Sequence, residues 1–69
     1  GKGYAAALLA DAEAAARKGG ARCLLISTSS TPATARARAF YEKAGYVKVG
    51  HIPGYYGEGD DKVQFWKAV

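Results

Sequence analysis

Five groups of residues in this 69-residue chain are of types that could do chemistry. Gly1 and Gly3 stand directly before an alanine-rich segment with strong helix propensity. Free N–H groups and the positive dipole end make such a helix start an anion site, and glycine lets a phosphate approach the backbone. Tyr41 lies in Ala37-Arg38-Ala39-Phe40-Tyr41-Glu42-Lys43-Ala44-Gly45-Tyr46, on a helix face whose ring packs while its hydroxyl reaches toward a cleft. The alternatives are a frayed terminus for the glycines and a core aromatic with a satisfied hydroxyl for Tyr41. Arg36 and Arg38 sit near a helix start, where they meet a phosphate or simply form a solvated face. Glu58, Asp60 and Asp61 cap a turn or attract an amine. One histidine (His51) and one cysteine (Cys23) form no metal-ligand set, and no triad-like partners surround Cys23, which reads as an inert buried thiol.

The elements that must position these residues are legible from pattern. Tyr4 to Lys18 reads as a helix stopped by Gly19-Gly20, with Glu13 four residues before Arg17 in the favourable order for an ion pair. The apolar run Cys23-Leu24-Leu25-Ile26 predicts a strand over 22–28, buried on both faces as in a parallel sheet. Thr31 and Pro32 open a second helix over 32–44, as N-cap and first helical residue. Ala33, Ala37, Phe40, Tyr41 and Ala44 share its inner face, Arg38 reaches toward Glu42, and Gly45 closes it. Phe40 reads as core. Strands follow over 46–52 and 63–69, joined by a turn-rich loop over 53–61, and they are expected to pair antiparallel.

Length and charge bound the rest. A chain this short buries only about 60% of its unfolded surface, so its core is small. The net charge of +4 is spread without a basic block, which speaks against a nucleic-acid arm and suits a polyanionic small molecule. No run approaches the roughly 20 apolar residues of a membrane span. A lone cysteine excludes an internal disulfide and fits a reducing cytoplasm.

The segment from Ala37 to Tyr46 resembles the A-x-x-F-Y-E-K-x-G-F/Y signature of the GNAT family of N-acetyltransferases. Gly1-Lys2-Gly3 is similar to the last three positions of that family's R/Q-x-x-G-x-G coenzyme A loop, and Ile52-Pro53-Gly54-Tyr55-Tyr56-Gly57-Glu58-Gly59-Asp60-Asp61 follows the I-P-x-Y/F-Y-x-x-G-D-D form of some members. The resemblance covers the whole chain but only the carboxyl half of the family's domain, so residues 1–69 are expected to be that half of a longer domain. It implies a partial GNAT fold of α/β class, in the order helix, strand, helix, strand, strand. The implied activity is acetyl transfer from acetyl-coenzyme A to an amine, without a metal. Gly1, Lys2, Gly3 and Tyr4 would hold the cofactor. Thr34 stands seven residues before the tyrosine, where many members carry an asparagine that bonds the pantetheine arm, and a hydroxyl replaces the amide here. Tyr41 would protonate the departing thiolate; a phenol, with a pKa near 10 in water, is matched to that task. Two readings compete with catalysis. One is a non-catalytic module that self-associates as a homodimer through its open edge and face. The other is a small basic nucleic-acid binder, which lacks a recognised motif.

Overall fold

The computed structural model describes residues 2–69. Helix α1 (Lys2–Lys18) leads to strand β1 (Cys23–Ser29); a 3-10 turn (Pro32–Thr34) runs into helix α2 (Ala35–Lys43), and strands β2 (Val47–Gly57) and β3 (Asp60–Ala68) close the chain. The expected order of elements is borne out. α1 starts two residues earlier than the alanine-rich stretch alone implied, because Lys2 and Gly3 join its first turn.

Both helices stop by the same device. Gly20 (φ +88°) and Gly45 (φ +98°) adopt the left-handed conformation. The residue after each glycine then donates its N–H back across the last turn, Ala21 to Ala16 O at 2.9 Å and Tyr46 to Tyr41 O at 2.9 Å. Gly20 and Gly45 themselves donate to Arg17 O and Glu42 O, both at 3.1 Å. Carbonyls that a helix end leaves without partners are satisfied in this way.

The sheet has the order β1-β3-β2, and both outer strands run antiparallel to β3. The last strand therefore inserts between the first two. Two expectations are corrected here. β1 is not buried on both faces: Leu25 is 53% exposed, because both helices cover one face of the sheet only. The stretch 53–61 is mostly not a loop, since β2 continues to Gly57 and leaves Glu58-Gly59 as the turn. Pro53 and the glycines are accommodated by irregular pairing, with one extra residue between Lys48 and Gly50 and three between Ile52 and Gly57 relative to β3. An edge strand tolerates a proline because its outward N–H needs no partner.

The core is small and lies under the helices. Tyr46, Val63 and Phe65 are buried, with Leu9, Leu24, Ile26, Tyr41 and Ala44 packed around them. Burying a side chain like Phe65 is worth about 1.5–3 kcal/mol. The opposite face is bare, and a row of Leu25, Trp66 and Val47 crosses all three strands there, each at least 38% exposed.

Candidate functional site

α2 sets Tyr41 on its inner face. The ring meets Phe65 at 5.8 Å, Tyr46 at 6.2 Å and Phe40 at 5.8 Å between centroids, in tilted and edge-on geometries that aromatic pairs favour. Its ring is thus held by core contacts. Its hydroxyl has no hydrogen-bond partner among the described residues and is not fully buried. Phe40 differs from expectation: it is half-buried and lines a groove between the helices rather than the core.

The loop from β1 to α2 is tied by a dense network. Arg38 Nη1 donates to Ser29 O (2.8 Å), to Thr31 O (3.0 Å) and to Thr34 Oγ1. Thr34 Oγ1 in turn donates to Ser29 O at 2.8 Å and lies 3.0 Å from Thr31 O. The one proton of Thr34 is therefore used inside the loop, and a ligand would find only a lone pair. Thr31 sits at the expected N-cap with extended backbone, but its hydroxyl pairs with Ser29 Oγ at 2.9 Å and caps no N–H. Arg38 does not pair with Glu42 among the described residues, because the loop carbonyls claim it. Arg36 is exposed.

At the other helix start, no acidic side chain occupies the first turn of α1. A Cβ added at Gly3 would meet nothing within 4 Å, so this glycine faces open space. Tyr4 is 71% exposed. Gly1 and the side chain of Lys2 lie outside the described residues.

One cluster carried no sequence signal. Tyr46 Oη donates to Glu13 Oε2 at 2.8 Å, and Lys67 Nζ lies 3.3 Å from both Glu13 oxygens and donates to Ala44 O at 2.9 Å. The Tyr46 hydrogen bond holds the Glu13 carboxyl below its ordinary range against desolvation, with Lys67 adding to it. Burial first, and then Glu13, pushes the Tyr46 phenol up to about 12. Glu13 thus serves a tertiary partner rather than the expected ion pair with Arg17, whose charge acts only at a distance. Beside this cluster lies an open groove of about 300 Å³ between α1 and α2, lined by Ala6, Leu9, Phe40 and Lys43 among others.

On the hairpin, His51 Nε2 donates to Asp61 Oδ2 at 2.7 Å, and Gly54 N–H donates to Asp61 Oδ1 at 2.7 Å. These two donors, Gly54 first, hold the Asp61 carboxyl below its ordinary range. Cys23 is a half-buried free thiol. No described helix is long and apolar enough to cross a membrane.

The model of the GNAT family of acetyltransferases matches residues 1–46, two-thirds of the chain and inclusive of both helices. The chain belongs to the GNAT family. A protein from Desulfovibrio desulfuricans assigned to the GNAT acetyltransferase family has a solved structure similar to this one, with a TM-score of 0.93 at 35% identity. The match covers 96% of this chain and 42% of that protein, so the chain spans less than half of that GNAT relative. No curated protein matches the chain. The partial GNAT fold expected from the signature segments is the fold found.

Proposed function

We propose that this chain is the carboxyl-terminal part of a single GNAT domain that moves an acetyl group from acetyl-coenzyme A to an amine. The observation that carries the reading is Tyr41: a core-packed ring whose hydroxyl is not fully buried and has no hydrogen-bond partner among the described residues. A tyrosine that served only the core would gain from bonding its hydroxyl, as Tyr46 does to Glu13.

The residues at the start of α1 fit the anionic cofactor. Uncompensated N–H groups, a first turn without carboxylates and an open Gly3 favour a pyrophosphate beside Gly1 to Tyr4. Acetyl-coenzyme A supplies the activated thioester when bound. Once the amine nitrogen has bonded to the acetyl carbon, the C–S bond breaks and Tyr41 gives its proton to the departing thiolate; the proton that the nitrogen sheds passes to solvent, from which the phenol is restored. Thr34 contributes by fixing the loop between β1 and α2 rather than by donating to the pantetheine arm. The half-buried thiol of Cys23 suits a reducing, cytoplasmic setting.

Tyr41→Phe in the domain that carries this chain tests the reading. Turnover should fall about 10²- to 10⁴-fold, the usual contribution of a positioned acid, with little change in the Michaelis constant for acetyl-coenzyme A. Unchanged turnover would remove Tyr41 from the mechanism. The bare row Leu25–Trp66–Val47 favours a second reading, a non-catalytic homodimer closed over that face. Sedimentation of the chain as a monomer at micromolar concentration would dismiss it.

A further inference from the structure

A crevice between α2 and β2 carries cations that the fold leaves uncommitted. It has a volume of about 290 Å³, and its floor is formed by Val63 and Phe65, which are 4% and 1% exposed. Ser30, Arg38 and Glu42 line it from the loop after β1 and from α2, and Lys48 and His51 line it from β2. Neither Tyr41 nor any residue at the start of α1 takes part. A sealed apolar floor keeps water from one side of a charge above it and strengthens its attraction to an opposite charge.

Three elements each bring a donor. Arg38 of α2 is half-buried; its Nη1 is taken by Ser29 O, Thr31 O and Thr34 Oγ1, while Nε and Nη2 have no partner among the described residues. Ser30 Oγ accepts the Asp61 N–H at 2.8 Å, and its own proton has no acceptor among those residues. Lys48 of β2 makes no ion pair there. Of the carboxylates nearby, Asp61 is already committed to His51 Nε2 and Gly54 N–H, both at 2.7 Å, and Glu42 is exposed and unpaired among the described residues. A guanidinium fork, a point-charge ammonium and a hydroxyl match a tetrahedral oxyanion, which has an acceptor for each, better than a planar carboxylate with two oxygens.

We propose that this crevice binds a phosphate group, as the free ion or as a small monoester, between Arg38, Lys48 and Ser30. The site stands apart from the acetyltransferase reading, because it uses none of the residues assigned there to acetyl-coenzyme A or to catalysis. Glu42 opposes the anion, and its exposure to water and salt keeps that opposition weak.

The test is an NMR titration of the ¹⁵N-labelled chain at pH 7 with inorganic phosphate and with glycerol phosphate, and with acetate at equal ionic strength as the planar control. Phosphate should shift the amides of Ser30, Lys48 and Val63 in a saturable way, and acetate should move them little. Lys48→Gln should weaken binding about 2- to 5-fold and Glu42→Gln should tighten it by a similar factor, the range of an exposed ion pair. Both side chains are exposed, so neither change threatens the fold. Tighter binding of glycerol phosphate than of phosphate supports a monoester as the ligand; equal or weaker binding supports the free ion. No shift outside Gly3, Tyr4 and Ala5, an equal response to acetate, or variants that bind phosphate as the original does would each overturn the proposal.

Discussion

Tyr46→Phe removes a single oxygen from the cluster of Tyr46, Glu13 and Lys67. The ring is 3% exposed, and its hydroxyl donates to Glu13 Oε2 at 2.8 Å. A hydrogen bond to a charged group is worth about 1.5–3 kcal/mol. The lower end applies, because Glu13 keeps Lys67 as a partner and is not left alone. At about 4–8 °C per kcal/mol for a domain of this size, the melting temperature should fall by roughly 6–12 °C. The pH dependence gives a second readout. Burial and Glu13 raise the Tyr46 pKa from 10.0 to about 12, so its contribution is complete below pH 10 and is lost as pH rises toward 12. Two units correspond to roughly 3 kcal/mol. Glu13 acts in the opposite sense: its lowered pKa gives stability above its ordinary 4.5 that is lost as pH falls through the folded value. Urea unfolding of both proteins at pH 7, and again from pH 10 to 12, reads out the Tyr46 contribution. The variant should be less stable at pH 7 and should lack most of the alkaline loss. Equal midpoints at pH 7, or the same alkaline loss in both, would refute the reasoning.

Gly45→Ala places a Cβ on a residue at φ +98°, which costs about 1–2 kcal/mol in the left-handed region, and thermal unfolding should show that loss. Asp61→Asn should free the arm of β2, seen as faster hydrogen exchange at the Gly54 amide. In the unmodified chain the same loosening should set in only as pH falls below the ordinary carboxylate value of 3.8, because the folded pKa is lowered. Arg38→Met withdraws the guanidinium from Ser29 O, Thr31 O and Thr34 Oγ1, so the Thr34 amide, bonded to Thr31 O at 3.1 Å, should exchange faster.

What the sequence made legible is what local chemistry decides. Gly20 and Gly45 announced where the helices stop, since few other residues accept a left-handed backbone. The inner face of α2 followed from spacing, and Tyr41 fell on it. Tertiary competition hid the rest. Glu13 and Arg38 each had a plausible partner four residues away, yet Glu13 bonds a tyrosine 33 residues on and Arg38 turns back to loop carbonyls. The burial of β1 is not legible in its sequence, because a run of four apolar residues looks the same whether one face or two is covered. The extended arm of β2 was obscured by Pro53 and its glycines, which signal a turn equally well when they sit in irregular pairing. Of the candidate site, the residue types and the helix that carries Tyr41 were readable; the diversion of the Thr34 hydroxyl into the loop was not.

On the acetyltransferase proposal, the start of α1 receives the phosphates of acetyl-coenzyme A. Acetyl-coenzyme A titrated into the ¹⁵N-labelled chain should shift the amides of Gly3, Tyr4 and Ala5 most strongly, in a saturable and salt-sensitive manner. Gly3→Asp, which sets a carboxylate where the pyrophosphate belongs, should abolish those shifts while leaving the amides of β3 in place. Saturable binding with no change at the start of α1, or a Gly3→Asp variant that binds as the original does, would contradict the account.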